Sequence, residues 1–196
     1  GEAHVTVQNV VFSGNHATGN GGGFSAHEDF VSTLFKSVTF ANNTADGSGG
    51  GMDFYSMGNY AVILNSIIWN NTPQAVALDD AVELEISYSD VEGGTSDINY
   101  MDNYSGSLNW LDGNIDADPL FADTANGDFS LQSSSPAIDA GDPDLDNDGT
   151  TWSTDTDDQD SDGTRMDIGA YFFDQSDIQA YTGPIWYVST TGSDII

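Results

Sequence analysis

The amino-acid sequence repeats at a fixed interval, and this repeat limits the possible fold more than any other feature. Gly21-Gly22-Gly23 recurs as Gly49-Gly50-Gly51, which gives a period of 28. With the same step, two apolar columns and one asparagine column align: Val7/Phe35/Ile63, Phe12/Phe40/Ile68 and Asn15/Asn43/Asn71. A fixed period of about 20 to 50 residues is typical of solenoids, in which each repeat buries its apolar face against its neighbours.

The repeat unit is predicted to be a coil of short β-strands. Short runs of β-branched and aromatic residues are separated by Gly, Asn and Asp, at residues 31–35, 38–40, 62–64 and 82–86. Helical repeats would instead need longer segments with a 3.6-residue period. In stacked parallel coils each residue lies on its equivalent one winding later, so the asparagine column is expected to form a side-chain ladder. The alternative is that these are ordinary turn asparagines. The triple glycines indicate a sharp corner with close backbone approach.

A resemblance follows from two sets of motifs. Phe12-x-x-Asn15 and Phe40-x-x-Asn43, alternating with Gly-Gly-Gly, resemble the repeats of bacterial right-handed parallel β-helix surface proteins, whose architecture pectate lyases share. The second half resembles the C-terminal end of large secreted β-helix proteins, through Asp118-Pro119-Leu120-Phe121, Gly127-Asp128-Phe129, Ser135-Pro136-Ala137-Ile138-Asp139 and Gly163-Thr164-Arg165-Met166-Asp167-Ile168-Gly169. The resemblance implies an all-β, right-handed parallel β-helix (solenoid) with an irregular, loop-rich C-terminal cap over the last coil.

This resemblance also implies a division of the chain. Residues 1–92 are predicted to form regular coils with a period of 28, residues 93–174 the irregular last coils and a calcium-binding cap, and residues 175–184 a linker. Residues 185–196 resemble the first strand of another β-helix domain. Three alternatives stay open for this strand: it begins a following domain, it folds back on its own domain, or it completes the open end of a neighbouring copy in a head-to-tail assembly.

The charge excludes several partners. The chain carries 32 acidic and 2 basic side chains and has a formal net charge of −30. Two cations cannot neutralise a row of phosphates, so no nucleic-acid partner is expected. The apolar runs are much shorter than the ~18 residues that cross a bilayer, and no membrane insertion is expected. Because the sequence contains no cysteine, any stabilising metal must bind through oxygen, and calcium is the first candidate.

Aspartates are concentrated between residues 139 and 167, where 11 of them occur. Asp144, Asp146 and Asp148 have the spacing of ligands 1, 3 and 5 of a calcium loop. Gly149 then takes the sharp-turn position, the Thr150 carbonyl position 7 and Asp155 the closing position. No flanking helices are indicated, so we predict a calcium loop without an EF-hand fold.

A second, weaker calcium loop follows. Asp158, Asp160 and Asp162 repeat the first half of the pattern, and Thr164 takes the carbonyl position. Gly169 stands where the closing acid belongs, so Asp167 or Asp157 would complete the site, or the two loops would share an ion. The alternative is a solvated acidic loop adapted to high salt.

Function is predicted to be structural or adhesive, in a large secreted or cell-surface protein whose partners are neighbouring copies or domains of the same protein. Lys36 and Arg165 lie in unrelated parts of the sequence, and the motif sets of polysaccharide lyases and pectin hydrolases are absent. We predict that Arg165 forms an ion pair with Asp139, Asp142 or Asp167, and that the three histidines are turn or surface residues. The alternatives are a module that binds neutral glycans and a carbohydrate-active enzyme on the same fold.

Overall fold

A computed structural model describes residues 3–27, 31–55, 60–78, 82–101 and 106–176. The fold is all-β, with parallel sheets stacked into a β-solenoid, as the sequence predicted. Two short 3-10 helices, Gly94–Asp97 and Thr124–Asn126, are the helical elements within these ranges. The expected strand at 185–196 and most of the expected linker lie outside the described residues.

Three parallel sheets form the faces of the coils. Sheet A contains Ala3–Gln8 (β1), Val31–Lys36 (β5), Tyr60–Leu64 (β9), Glu83–Ser87 (β12) and Ser107–Trp110 (β15). Sheet B contains Val11–Ser13 (β2), Thr39–Ala41 (β6), Ile67–Trp69 (β10) and Asp90–Val91 (β13). Sheet C contains Phe24–Ala26 (β4), Met52–Phe54 (β8), Val76–Leu78 (β11) and Ile98–Tyr100 (β14). A small parallel pair, His16–Ala17 (β3) and Thr44–Ala45 (β7), lies at a corner.

The coil length changes along the solenoid. Ser32 pairs with Tyr60, Tyr60 with Glu83 and Glu83 with Ser107, so the two later coils are shorter than the earlier one. The shortening begins in the connection from sheet B to sheet C. This connection is longer in the coil that contains Thr39 and Met52 than in the next coil, where it joins Ile67 to Val76. The short coils still pair in the same sheets, and sheet A continues to Trp110. The division at residue 92 stays a prediction.

The predicted columns stack in the core. Val7 pairs with Phe35 and Phe35 with Ile63 on sheet A. On sheet B the Phe12 and Phe40 rings are parallel, with centroids 4.7 Å apart, and Phe40 pairs with Ile68. These side chains belong to one apolar cluster that fills the inside of the coils. Each coil therefore buries its apolar residues against the coils above and below it.

The asparagine column forms the predicted ladder. Asn15 Nδ2 donates to Asn43 Oδ1 at 2.9 Å, and Asn43 Nδ2 donates to Asn71 Oδ1 at 3.0 Å. The backbone N–H groups of Asn15 and Asn43 donate to the same two oxygens. At the neighbouring glycine corner the coils approach closely, because a Cβ on Gly22 would lie 2.3 Å from the Thr44 carbonyl oxygen. The alternative was that these asparagines only stabilise their own turns, and such asparagines would not form side-chain hydrogen bonds from one coil to the next.

The C-terminal region lies along the side of the coils. It contains an antiparallel pair, Phe121–Asp123 (β16) and Asp128–Leu131 (β17), followed by irregular loops. A second apolar cluster joins this region to the outer face of sheet B, where Ile67 and Trp69 point away from the inner core. The described contacts of this region run along the flank of the coils, and a cap over the open end of the last coil stays a prediction. The outer face of β10 is apolar and must itself be covered, which explains this position.

Candidate metal site

The acidic loops are attached to the coils at one corner, between sheets A and B. Asn65 Oδ1 accepts a hydrogen bond from the Asp142 N–H at 2.7 Å, and the Asn65 carbonyl accepts one from Gly169 at 2.8 Å. The Ala170 N–H donates to Thr39 Oγ1 at 3.0 Å. Between these anchors Ile168 is fully buried in the second apolar cluster. The segment that carries the aspartates is therefore fixed at both ends on the solenoid.

The first loop is curled by hydrogen bonds from its own backbone. The Gly149 N–H donates to Asp144 Oδ2 at 3.1 Å, and the Asp148 N–H donates to Asp146 Oδ1 at 3.0 Å. Asn147 and Gly149 have positive φ values of 59° and 87°, which let the chain turn sharply. The predicted turn at Gly149 is thus present, and it brings the Asp144 and Asp146 carboxylates to one side of the loop.

Three carboxylates meet where the two loops touch. One oxygen from each of Asp144, Asp146 and Asp158 lies within 4.8 Å of the others. Asp158 is fully buried, and its Oδ1 accepts a hydrogen bond from the Leu145 N–H. Its Oδ2 and Asp144 Oδ1 are buried without a hydrogen-bond partner in the described part of the chain. Oxygens that surround one ion at about 2.3 to 2.6 Å lie at most about 5 Å apart, so this group fits calcium.

The electrostatics of this group call for a cation. Burial raises the pKa of the adjacent Asp142 above its ordinary value, and the charges of Asp144 and Asp158 raise it further. Unpaired buried carboxylates are costly unless a proton or a metal ion neutralises them. A divalent ion would satisfy the orphan oxygens of Asp144 and Asp158 together.

The other predicted ligands of the first loop lie outside this group of three. Asp148 Oδ1 accepts from the Thr150 N–H at 2.6 Å, which turns this carboxylate toward its own backbone. Asp155 pairs with Asp157, and the hydrogen bond between their carboxyl groups raises the pKa of Asp155 and lowers that of Asp157. The sequence spacing assigned Asp158 to the second loop, and this group fits the alternative in which the two loops share an ion.

The rest of the second loop forms a separate carboxyl pair. Burial, and then a hydrogen bond with Asp162, raises the pKa of Asp160 to about 8. Burial acts to raise the pKa of Asp162, but hydrogen bonds from Asp160, Gln175 and Thr164 hold it well below its ordinary value. The Thr164 N–H and hydroxyl donate to Asp162 Oδ1 at 3.0 and 2.8 Å, and the role of the Thr164 carbonyl as a metal ligand stays a prediction. The Thr164 carbonyl accepts from the Asp160 N–H.

Asp167 is held by backbone donors. Its oxygens accept from the N–H groups of Asp139 at 2.7 Å and Phe173 at 2.6 Å. Burial raises the pKa of Asp167 to about 6 despite these hydrogen bonds. Its two oxygens thus connect two turns of the flanking segment to each other.

The predicted ion pair of Arg165 is wrong. Its Nε donates to the Gly141 carbonyl at 2.6 Å and a terminal nitrogen donates to the Ala140 carbonyl at 3.4 Å. The guanidinium carbon lies 5.8 Å from the centroid of the Tyr88 ring. Within the described ranges Arg165 makes no ion pair with a carboxylate. Backbone carbonyls of the loop need a donor, and the long planar side chain supplies it.

Two histidine–aspartate contacts were missed in the sequence. His27 Nε2 lies 3.3 Å from Oδ2 of the buried Asp53, and His16 Nε2 lies 3.7 Å from Asp46 Oδ1. In each pair the aspartate lies within two residues of the position that is 28 residues after the histidine, but not at that position. A search of the residues next to each of these positions would have found both contacts.

The fold and the site together define a parallel β-solenoid with an acidic candidate metal centre on its flank. A family model described as the Chlamydia polymorphic membrane protein (Chlamydia_PMP) repeat matches residues 9–27, which include β2, β3 and β4 of the first coil. No curated protein and no solved structure matches the chain. Within the described ranges no helix is long and apolar enough to cross a membrane.

Proposed function

We propose that this chain is a non-catalytic structural or adhesive β-solenoid segment of a large secreted or cell-surface protein. The observation that carries the proposal is the coincidence of the stacked first coil with the match to a membrane-protein repeat at residues 9–27. Continuous columns make a stiff rod whose side chains form regular surfaces, which suits a structural or adhesive role. Antibodies against the folded segment should label intact cells of the source organism, and labelling only after lysis would contradict a surface location.

The contacts of Arg165 support a non-catalytic role. A lyase that acts on uronic acids needs a cation beside its groove to stabilise the enolate. Arg165 instead binds two backbone carbonyls at the loop corner. Incubation with pectin, alginate and neutral polysaccharides should release neither unsaturated products nor reducing ends. Release of either, and its loss on substitution of a single carboxylate, would establish the rival function of a carbohydrate-active enzyme.

Calcium stabilisation is the second part of the proposal. The ion would be held by Asp144, Asp146 and Asp158, so that it joins the two acidic loops. The two orphan oxygens of Asp144 and Asp158 support this assignment. Extracellular calcium modules bind in the range of about 10⁻⁴ to 10⁻³ M, which suits a protein outside the cell. Calcium at saturating concentration should raise the melting temperature over that in chelator, and magnesium should do so less; equal melting temperatures would contradict a calcium site.

Head-to-tail assembly is the third part. Among the described residues, strands β1, β2 and β4 have a partner on one side only, and Phe12 and Phe24 are half-buried, whereas Phe40 and Phe54 one coil later are fully buried. Such an edge accepts a further strand. The proposed donor, residues 185–196, lies outside the described residues. Light scattering with and without these residues tests the proposal: assembly of the full chain and monomers of the truncated one would support it, and identical monomers would end it.

A further inference from the structure

We propose that a cavity of about 600 Å³ between the flanking segment and the first two coils binds a neutral saccharide. This inference goes beyond the structural role and does not depend on a bound calcium ion. Its lining comes from two parts of the chain that are far apart in sequence. One part is the corner between sheets A and B, and the other is the acidic flank at residues 159–172.

The cavity exists because the flank covers only part of one corner column. Asn9, Ser37, Asn65 and Tyr88 occupy equivalent corners of successive coils, and all have positive φ values, from 45° to 55°. Asn65 is covered by its hydrogen bonds with Asp142 and Gly169, and the Tyr88 ring lies beneath the Arg165 guanidinium. The flank reaches the second coil at Thr39, through Ala170, but makes no described hydrogen bond with Asn9 or Ser37. Asn9 and Ser37 therefore line an open cavity instead of a packed contact.

The cavity wall offers aromatic surface. Tyr171 and Phe172 are neighbours in sequence, both line it, and they are 49% and 43% exposed. Aromatic rings that are left exposed beside polar groups mark binding surfaces. The C–H faces of a pyranose ring are apolar and flat enough to stack on such rings, while its hydroxyl groups stay at the edge.

The polar groups of the cavity suit hydroxyl groups. Ser37 is 4% exposed, and its Oγ has no hydrogen-bond partner among the described residues. No hydrogen bond to the Asn9 side-chain amide occurs there either, and this group can both donate and accept. Sugar hydroxyls also donate and accept, so they can use both kinds of group at once. The Asn9 side chain is exposed, so a ligand hydroxyl can reach its amide, whereas Ser37 Oγ is closed to solvent and Ser37 only forms part of the cavity wall.

Charge selects among the possible ligands. The chain as a whole carries a net charge of −30, so acidic sugars and phosphates are repelled. A small organic cation offers only donors and leaves the donor group of the Asn9 amide unused. The combination of exposed aromatic rings and an exposed amide therefore favours a neutral saccharide.

The test uses the full chain and defined probes. Neutral trisaccharides of glucose, mannose and N-acetylglucosamine are compared with trigalacturonate and spermidine by saturation-transfer NMR and calorimetry, in calcium and in chelator. At least one neutral trisaccharide should bind with a Kd of about 1 mM or tighter, and trigalacturonate should not bind. The variant Tyr171→Ala/Phe172→Ala should bind at least about tenfold more weakly, because each lost stacking contact contributes about a factor of ten.

Two further variants keep the result interpretable. Tyr100→Ala removes an equally exposed tyrosine, 49% exposed, far along the chain on β14 and should bind like the wild type. Asn9→Gly removes the amide at a positive φ that glycine tolerates, so it should weaken binding even if the double variant fails to fold. The proposal is overturned if no neutral trisaccharide binds at about 10 mM, roughly a tenfold excess over a Kd of about 1 mM. Unchanged binding by the flank and corner variants, or binding of spermidine alone, overturns it as well.

Discussion

The Asp158 carboxylate accepts a hydrogen bond from the Leu145 N–H, and this contact joins two acidic loops that the sequence presents as separate. Asp158 is 13 residues from Leu145 and fully buried, and one of its oxygens lies within 4.8 Å of a carboxylate oxygen of Asp144 and of Asp146. A metal ion at this point would fasten the loops to each other and, through Asp142 and Asn65, to the third coil. The first prediction concerns this contact.

Asp158→Asn should abolish the increase in melting temperature that calcium produces. Asparagine keeps the acceptor for Leu145 but removes one negative charge, so in chelator the variant should be at least as stable as the wild type. In calcium at about 100 times the Kd it should lack about 2.7 kcal/mol of stabilisation. Thermal unfolding in calcium and in chelator measures both effects.

Asp148→Asn is the matched control for this experiment, because Asp148 lies in the same loop but outside the group of three. It should keep the response to calcium. If Asp148→Asn loses the response and Asp158→Asn retains it, the ion lies in the loop that the sequence spacing indicated.

Asp90→Asn should stabilise the protein at alkaline pH and have little effect near pH 4. Asp90 is fully buried on β13, and burial raises its pKa to about 7 despite a hydrogen bond from Ala117. A carboxyl with a raised folded-state pKa contributes stability below its unfolded pKa of about 3.9, and this contribution is lost as the pH rises through 7. Asparagine cannot ionise, so its advantage should reach about 4 kcal/mol at pH 8.

Denaturant unfolding of both proteins at pH 4, 6 and 8 measures this difference. Asp128→Asn is the control, because Asp128 is exposed and its pKa is lowered by hydrogen bonds with Ser130. An advantage of Asp90→Asn that is equal at all three pH values would show that the charge of Asp90 is not the cause.

Asn43→Ala should destabilise the coils by about 2 to 3 kcal/mol. Asn43 is fully buried, accepts from Asn15 and donates to Asn71 and to the Phe12 carbonyl. Its truncation leaves buried donors and acceptors on both neighbouring coils without partners. Asn109→Ala removes an exposed hydrogen bond with Glu83 and should change the free energy of unfolding by less than about 0.5 kcal/mol. Equal effects of the two variants would argue against a structural ladder.

Gly22→Ala should destabilise the first two coils by about 3 kcal/mol. The added Cβ would lie 2.3 Å from the Thr44 carbonyl oxygen and 2.4 Å from that of Gly50, and neither backbone group can move without breaking the stack. Gly19→Ala is the control, because its Cβ would have no neighbour within 4 Å. Urea unfolding of both variants decides the matter, and a tolerated Gly22→Ala would show that the corner is looser than the structure indicates.

The sequence by itself determined the coil architecture, because stacking places equivalent residues on each other and makes the repeat visible in one dimension. The columns of Phe12 and Asn15 could be predicted for this reason. The acidic region has no such period, so its spacing suggested two calcium loops and an ion pair for Arg165.

Only the tertiary structure decided where these groups meet. It brought Asp158 to Asp144 and Asp146, turned Arg165 to backbone carbonyls and laid the flank on Ile67. The contacts between the irregular flank and the regular coils depend on which apolar face of the coils is exposed, and this is set by the folded shape. The spacing of residues in the sequence does not contain this information.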